Sequence, residues 1–127
     1  MALDIYLIST GGLNLFSYKS KINTENECIS DHFLSGIIFT VVKAIKCITN
    51  PDLNVEIIDL GKLQLHFRYG INVWGILITN NKTPHIQDKL EILISQFEEK
   101  YKDILKDWNG NRSKFDGAKI LIEKIFG

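Results

Sequence analysis

Few side chains in this 127-residue chain stand at spacings that chemistry needs. His32, His66 and His85 lie far apart, with no i,i+4 or H-x-H pair and no cysteine at zinc-ligand distance. Cys28 and Cys47 fall near opposite ends of one predicted helix, about 28 Å apart at the α-helical rise, so they do not pair within a chain. Cys28 would need a base or a helix N-terminus to act as a nucleophile, and Glu25 and Glu27 beside it oppose thiolate formation. Cys28 reads as a small apolar residue. Glu98 and Glu99 diverge by about 100° on a helix. Asp103 and Asp107 share a face, but a solvated one, whereas acid–base pairs want a cleft and burial. Gly11-Gly12 lies between two strands, without the G-x-G-x-x-G or G-x-x-x-x-G-K spacing of a phosphate loop, and reads as a hairpin turn. No catalytic, metal or cofactor constellation emerges, and a non-enzyme is the expectation.

The element whose pattern most suggests a contact surface is the first long helix. With Ile29 at 0° and about 100° per residue, apolar side chains fill an arc from about 0° to about 220°. Ser35, Lys46, His32 and Lys43 fill most of the rest. Phe39 falls at about 280°, inside the polar face, and Val42 at about 220°, on its border. Aromatics on a polar face are favoured as interface hot spots. Phe39 and Val42, with Lys46 and His32 as a polar rim, are therefore the candidate partner contacts. The competing reading makes Phe39 a scattered surface aromatic, or one tucked under the polar Lys19–Glu27 loop. A second candidate is the edge strand Leu53–Asp59, which would accept another strand unless Asp52, Glu56 and Asp59 discourage it.

These residues need a scaffold. Met1–Tyr18 reads as a hairpin whose first strand is apolar on both faces, the mark of a central strand. A helix spans about 28–49 and ends at Asn50-Pro51. Strands follow at Leu53–Asp59, Lys62–Tyr69 and Ile71–Thr79. Lys62–Tyr69 alternates strictly, with Leu63, Leu65, Phe67 and Tyr69 inward and His66 on a solvent-side face; Ile71–Thr79 is apolar on both faces. Thr83-Pro84 opens a helix that runs to Trp108 and stops at Asn109-Gly110, and a last helix covers about Ser113–Phe126. The order is β-β-α-β-β-β-α-α, an α/β (α+β) fold in a single domain, 1–127. Placing the two doubly apolar strands centrally gives a five-stranded antiparallel sheet of order 2-1-5-4-3, with helix 1 on one face and helices 2 and 3 on the other.

Fifteen basic residues balance fifteen acidic ones, which argues against a nucleic-acid module. No apolar run is long enough for a transmembrane segment, and no basic n-region precedes the first apolar stretch. A cytoplasmic protein is expected.

The element order resembles the longin domain of the longin and roadblock superfamily, which has a profilin-like fold. Three stretches carry the resemblance: Ile5–Ser17, Phe33–Ile38, and Phe97-Glu98, Tyr101, Leu105, Trp108, Gly110 and Phe115, the last similar to archaeal longin-like proteins. The roadblock branch usually begins with a helix, so a chain that starts on a strand favours longin. The resemblance implies a non-catalytic interaction module without a cofactor. It would form a homodimer, or a heterodimer with a longin/roadblock-type domain, and bind a small GTPase in regulation or in a vesicle-trafficking-like assembly, with indirect membrane association. A small-ligand sensor on a profilin-like or PAS-like scaffold is the alternative. It needs a cavity between sheet and helix that Trp74, Phe67, Phe97 and Trp108 look sufficient to fill.

Overall fold

A computed structural model describes residues 3–19, 31–50, 54–59, 61, 64–79, 85–108 and 110–126. Strands β1 (Leu3–Ser9), β2 (Asn14–Lys19), β3 (Ile57–Asp59), β4 (Gln64–Tyr69) and β5 (Val73–Thr79) form one antiparallel sheet in the order β2-β1-β5-β4-β3. This is the expected topology. β1 and β5 are central because both of their faces are apolar, so both must be covered. On one face Tyr6, Ile8, Ile76 and Phe67 pack against Ile38 and Val42 of helix α1 (Asp31–Ile48). On the other, Ile5, Leu7, Val73 and Leu77 pack against Leu90, Leu93 and Phe97 of α2 (Ile86–Lys100) and Ile122 of α4 (Ala118–Phe126).

The C-terminal helices are more broken than the periodicity suggests. The predicted helix to Trp108 changes course at Tyr101 (φ −110°), leaving a five-residue α3, Lys102–Lys106. Tyr101 is buried and packs edge-on against Phe115 at 5.2 Å. Burial, helped by Asp116, raises its phenol pKa. The predicted helix from Ser113 begins as a 3₁₀ turn, Arg112–Phe115, capped by Asn111, whose Oδ1 accepts from the Ser113 amide. The predicted Thr83-Pro84 start lies outside the described residues. The described helix begins after His85, which sits at φ 65°.

Three strand expectations are corrected. Of Leu53–Asp59, the strand runs over Ile57–Asp59, with the Glu56 carbonyl also bonded to the Phe67 amide, and Leu53 lies outside the described residues. Ile71 is 87% exposed in the β4–β5 turn rather than within a strand. Its amide and that of Asn72 donate to the Glu98 carboxylate at 3.2 and 2.6 Å, so Glu98 fastens the hairpin to α2. His66 is not on a solvent-side face: that face lies beneath the first turns of α2, and His66 is buried there. Of the large side chains named for the sheet–helix space, two are core and two lie at its border. Phe67 and Phe97 are fully buried, and Trp74 and Trp108 are packed against the two cores.

Candidate interaction surface

The side of α1 that meets the sheet is fixed by three residues. Ser35, Ile38 and Val42 are buried, at steps of three and four. Ser35 sits in a helical apolar contact because its hydroxyl accepts a hydrogen bond from Asn14 Nδ2 at 3.0 Å, across to the start of β2. A buried hydroxyl so partnered costs little, and its small volume lets helix and sheet approach.

This phase differs from the one the apolar arc suggests. Val42, at 1% exposure, belongs to the core and is not presented to a partner. Phe39 is half-buried. Its ring lies 5.3 Å from the Trp74 ring, and a side chain at Gly12 would come within 2.9 Å of it. Lys43 Nζ stands 5.5 Å from the same ring. Phe39 is thus a clasp between α1, the β1–β2 turn and β5. Lys46 is half-buried, and the side chain of His32 lies outside the described residues. The four candidates therefore do not form one exposed patch.

The exposed patch is the neighbouring flank. Ile37 is 39% exposed, Val41 42% and Ile48 81%, with exposed Ala44 between them. The spacing 37-41-44-48 is the alternating four-and-three step of a helix-pairing seam. These residues lie at about 60° to 120° on the wheel, on the apolar arc but turned from the sheet. The signal was present in the width of the arc. One contact layer buries a stripe somewhat over 100° wide, so an arc of about 220° leaves an apolar flank outside. Which flank is outside depends on the Ser35–Asn14 bond, and Ser35 looks polar in sequence.

The second candidate, the β3 edge, survives in shorter form. The Phe67 amide donates to the Glu56 carbonyl at 2.8 Å, and Ile57 pairs with His66. In this register Glu56 and Ile58 turn their backbone groups toward β4, while Ile57 and Asp59 turn theirs outward. Ile57 is also 50% exposed. Behind the edge, Tyr69 Oη donates to the Val55 carbonyl at 2.7 Å, and burial plus the Glu56 charge push its pKa up to about 12.

Among the described residues no three His, Cys, Asp or Glu side chains are placed to hold a metal, and no helix is long and apolar enough to cross a membrane. Cys47 is exposed, and Cys28 lies outside the described residues. A surface cleft of about 510 Å³ runs between α2 and the end of β4. Most of its charged lining is engaged: Arg68 with Glu91 at 2.7 Å, Glu98 with the hairpin amides, while Glu56 is exposed.

No protein-family model matches the chain, and no curated protein matches it in sequence. Solved structures do. The chain is similar to "MglB with tetrameric arrangement" at 14% identity and a TM-score of 0.56, covering 84% of this chain and 79% of that one. It is similar to Myxococcus xanthus MglB at 16% identity and 0.54, covering 81% and 82%. The gliding protein MglB from Thermus thermophilus matches at 13% and 0.55, covering 84% and 79%. At such identities the likeness is one of fold alone.

Proposed function

We propose that this chain is a non-catalytic, cytoplasmic interaction module that pairs with a second copy of itself or a related longin/roadblock-type domain. The pair would then engage a small GTPase, as its regulator or as a scaffold in a trafficking-like assembly. The observation that carries the reading is the Ile37-Val41-Ala44-Ile48 flank: a contiguous apolar stripe on a rigid helix, at pairing spacing, turned away from the core. Exposed apolar stripes of this kind mark interaction sites. The outward backbone groups of Ile57 and Asp59 offer a second contact, by strand addition. The fold neighbours support the reading, since one is described as a tetrameric arrangement. The GTPase part rests on the longin resemblance.

The test is a pull-down from the source organism's lysate with GDP or a non-hydrolysable GTP analogue, scored by mass spectrometry. Light scattering in the same buffers gives the mass of the bait. Nucleotide-dependent capture of a small GTPase by an oligomeric bait is the expected result. A monomer that captures neither a GTPase nor a longin-like chain would overturn the reading.

A further inference from the structure

Buried polar groups away from the α1 flank converge where the first turn of α2 crosses β4. Nε2–H of His66 donates to Oε1 of Gln64 at 3.2 Å, and Nε2 of Gln64 reaches Oδ2 of Asp59 at 3.5 Å. On the other side, Nδ1 of His66 accepts from Nε2 of Gln87 at 3.2 Å. The same Gln87 nitrogen donates to the Glu56 carbonyl at 3.2 Å. The chain thus runs in one direction, Gln87 to His66 to Gln64 to Asp59. It ties both ends of β3 to the middle of β4 and to α2. Meanwhile Oε1 of Gln87 is buried with no hydrogen-bond partner among the described residues.

The direction of the chain depends on a neutral imidazole. Gln87 presents N–H to Nδ1, and an amide nitrogen cannot accept. Once Nδ1 carries a proton, two donors face each other. The amide must then turn over, so that its unpartnered Oε1 accepts from Nδ1–H. That turn withdraws Nε2 from the Glu56 carbonyl. We infer that His66 and Gln87 form a proton-operated latch that holds the edge strand β3 against α2 when His66 is neutral and loosens it when His66 is protonated. Burial holds the imidazole below its ordinary value, so the latch is closed at neutral pH. The charged groups on the surrounding elements are solvated or engaged elsewhere. Glu56 has an exposed carboxylate, Arg68 is held by Glu91, His85 lies 3.6 Å from Asp88, and Asp59 Oδ1 accepts from the Gly61 amide. Because β3 is one edge of the surface proposed above, the latch would make partner pairing at that edge weaken in acid; this consequence alone rests on that reading.

The test uses the whole chain. Nitrogen-15 NMR of the His66 ring reads tautomer and protonation, and amide exchange at Ile58, corrected for intrinsic rates, reads β3. The expected result is an Nε2–H tautomer at pH 7.5 and about five-fold faster Ile58 exchange once His66 is protonated, the size of one net hydrogen bond. Gln87→Leu should exchange at the faster rate at both pH values. An Nδ1–H tautomer at pH 7.5, or Ile58 exchange that ignores His66 protonation, overturns the latch, and the wild-type titration suffices should the variant not fold. These readouts need no partner, so their failure leaves the proposed pairing standing, and a failure of pairing leaves them untouched.

Discussion

The double substitution Val41→Glu/Ile48→Glu separates pairing from folding. Fully burying a Val or Ile side chain contributes about 2 kcal/mol. Val41 is 42% exposed and Ile48 81%, so folding uses roughly half of the first and a fifth of the second. Losing those portions costs the monomer about 1.5 kcal/mol in all, which a folded domain tolerates. The remaining exposed portions, about 0.8 and 1.6 kcal/mol per chain, are what pairing would bury. A two-fold pair counts each twice, giving about 5 kcal/mol, or more than three decades in Kd. The buried carboxylates add to that. The assay is light scattering across a concentration series, with a urea melt of the same samples. The expected outcome is a cooperative monomer that no longer pairs. If the wild type stays monomeric at high micromolar concentration, or the double variant assembles like wild type, the reasoning about this flank is wrong.

Phe39→Asp should behave differently. It empties a half-buried aromatic site against Trp74 and Gly12, so a urea melt should show a loss of about 2 kcal/mol before any effect on pairing. Gly12→Ala should also destabilise, because the added carbon meets the Phe39 ring at φ 90°. Stability should fall in acid through His66. Its folded pKa lies below the unfolded value of 6.5, so its contribution is complete above pH 6.5 and is lost as pH falls through the folded pKa. Urea melts at pH 7.5 and 5, compared with His66→Gln, would show it. Glu98→Ala should free the β4–β5 turn and speed exchange of the Ile71 and Asn72 amides about ten-fold or more, since charge-assisted bonds are worth roughly 1.5–3 kcal/mol.

The sheet was legible because its rule is local. A strand apolar on both faces must be covered on both, and β1 and β5 announce this in their own residues. Helix existence was legible for the same reason in α2, where Leu90, Leu93, Ile94 and Phe97 repeat at helical steps. What failed was decided between elements. Nothing near Tyr101 in sequence says that the helix breaks there, where its ring packs on Phe115. His66 alternates with apolar neighbours and so reads as outward, yet α2 descends over that face and Gln87 meets its ring. Glu98 reads as one of two surface carboxylates until the β4–β5 turn comes down upon it.

The interaction surface shows the deeper limit. Core and interface are driven by the same removal of apolar area from water, so composition alone cannot divide the arc of α1 between them. What divides it is a polar contact: Ser35 bonded to Asn14 turns the helix so that Ile38 and Val42 go in and Ile37, Val41 and Ile48 stay out. Phe39 drew attention because an aromatic among polar residues looks misplaced. In the fold it is well placed, because the glycine at 12 leaves room for its ring. The residues to suspect on such a helix are the ordinary aliphatics that lie within the apolar arc but beyond the width one sheet can cover. On α1 those are Ile37, Val41 and Ile48, and their shared flank is where a second surface of matching character would bury the most.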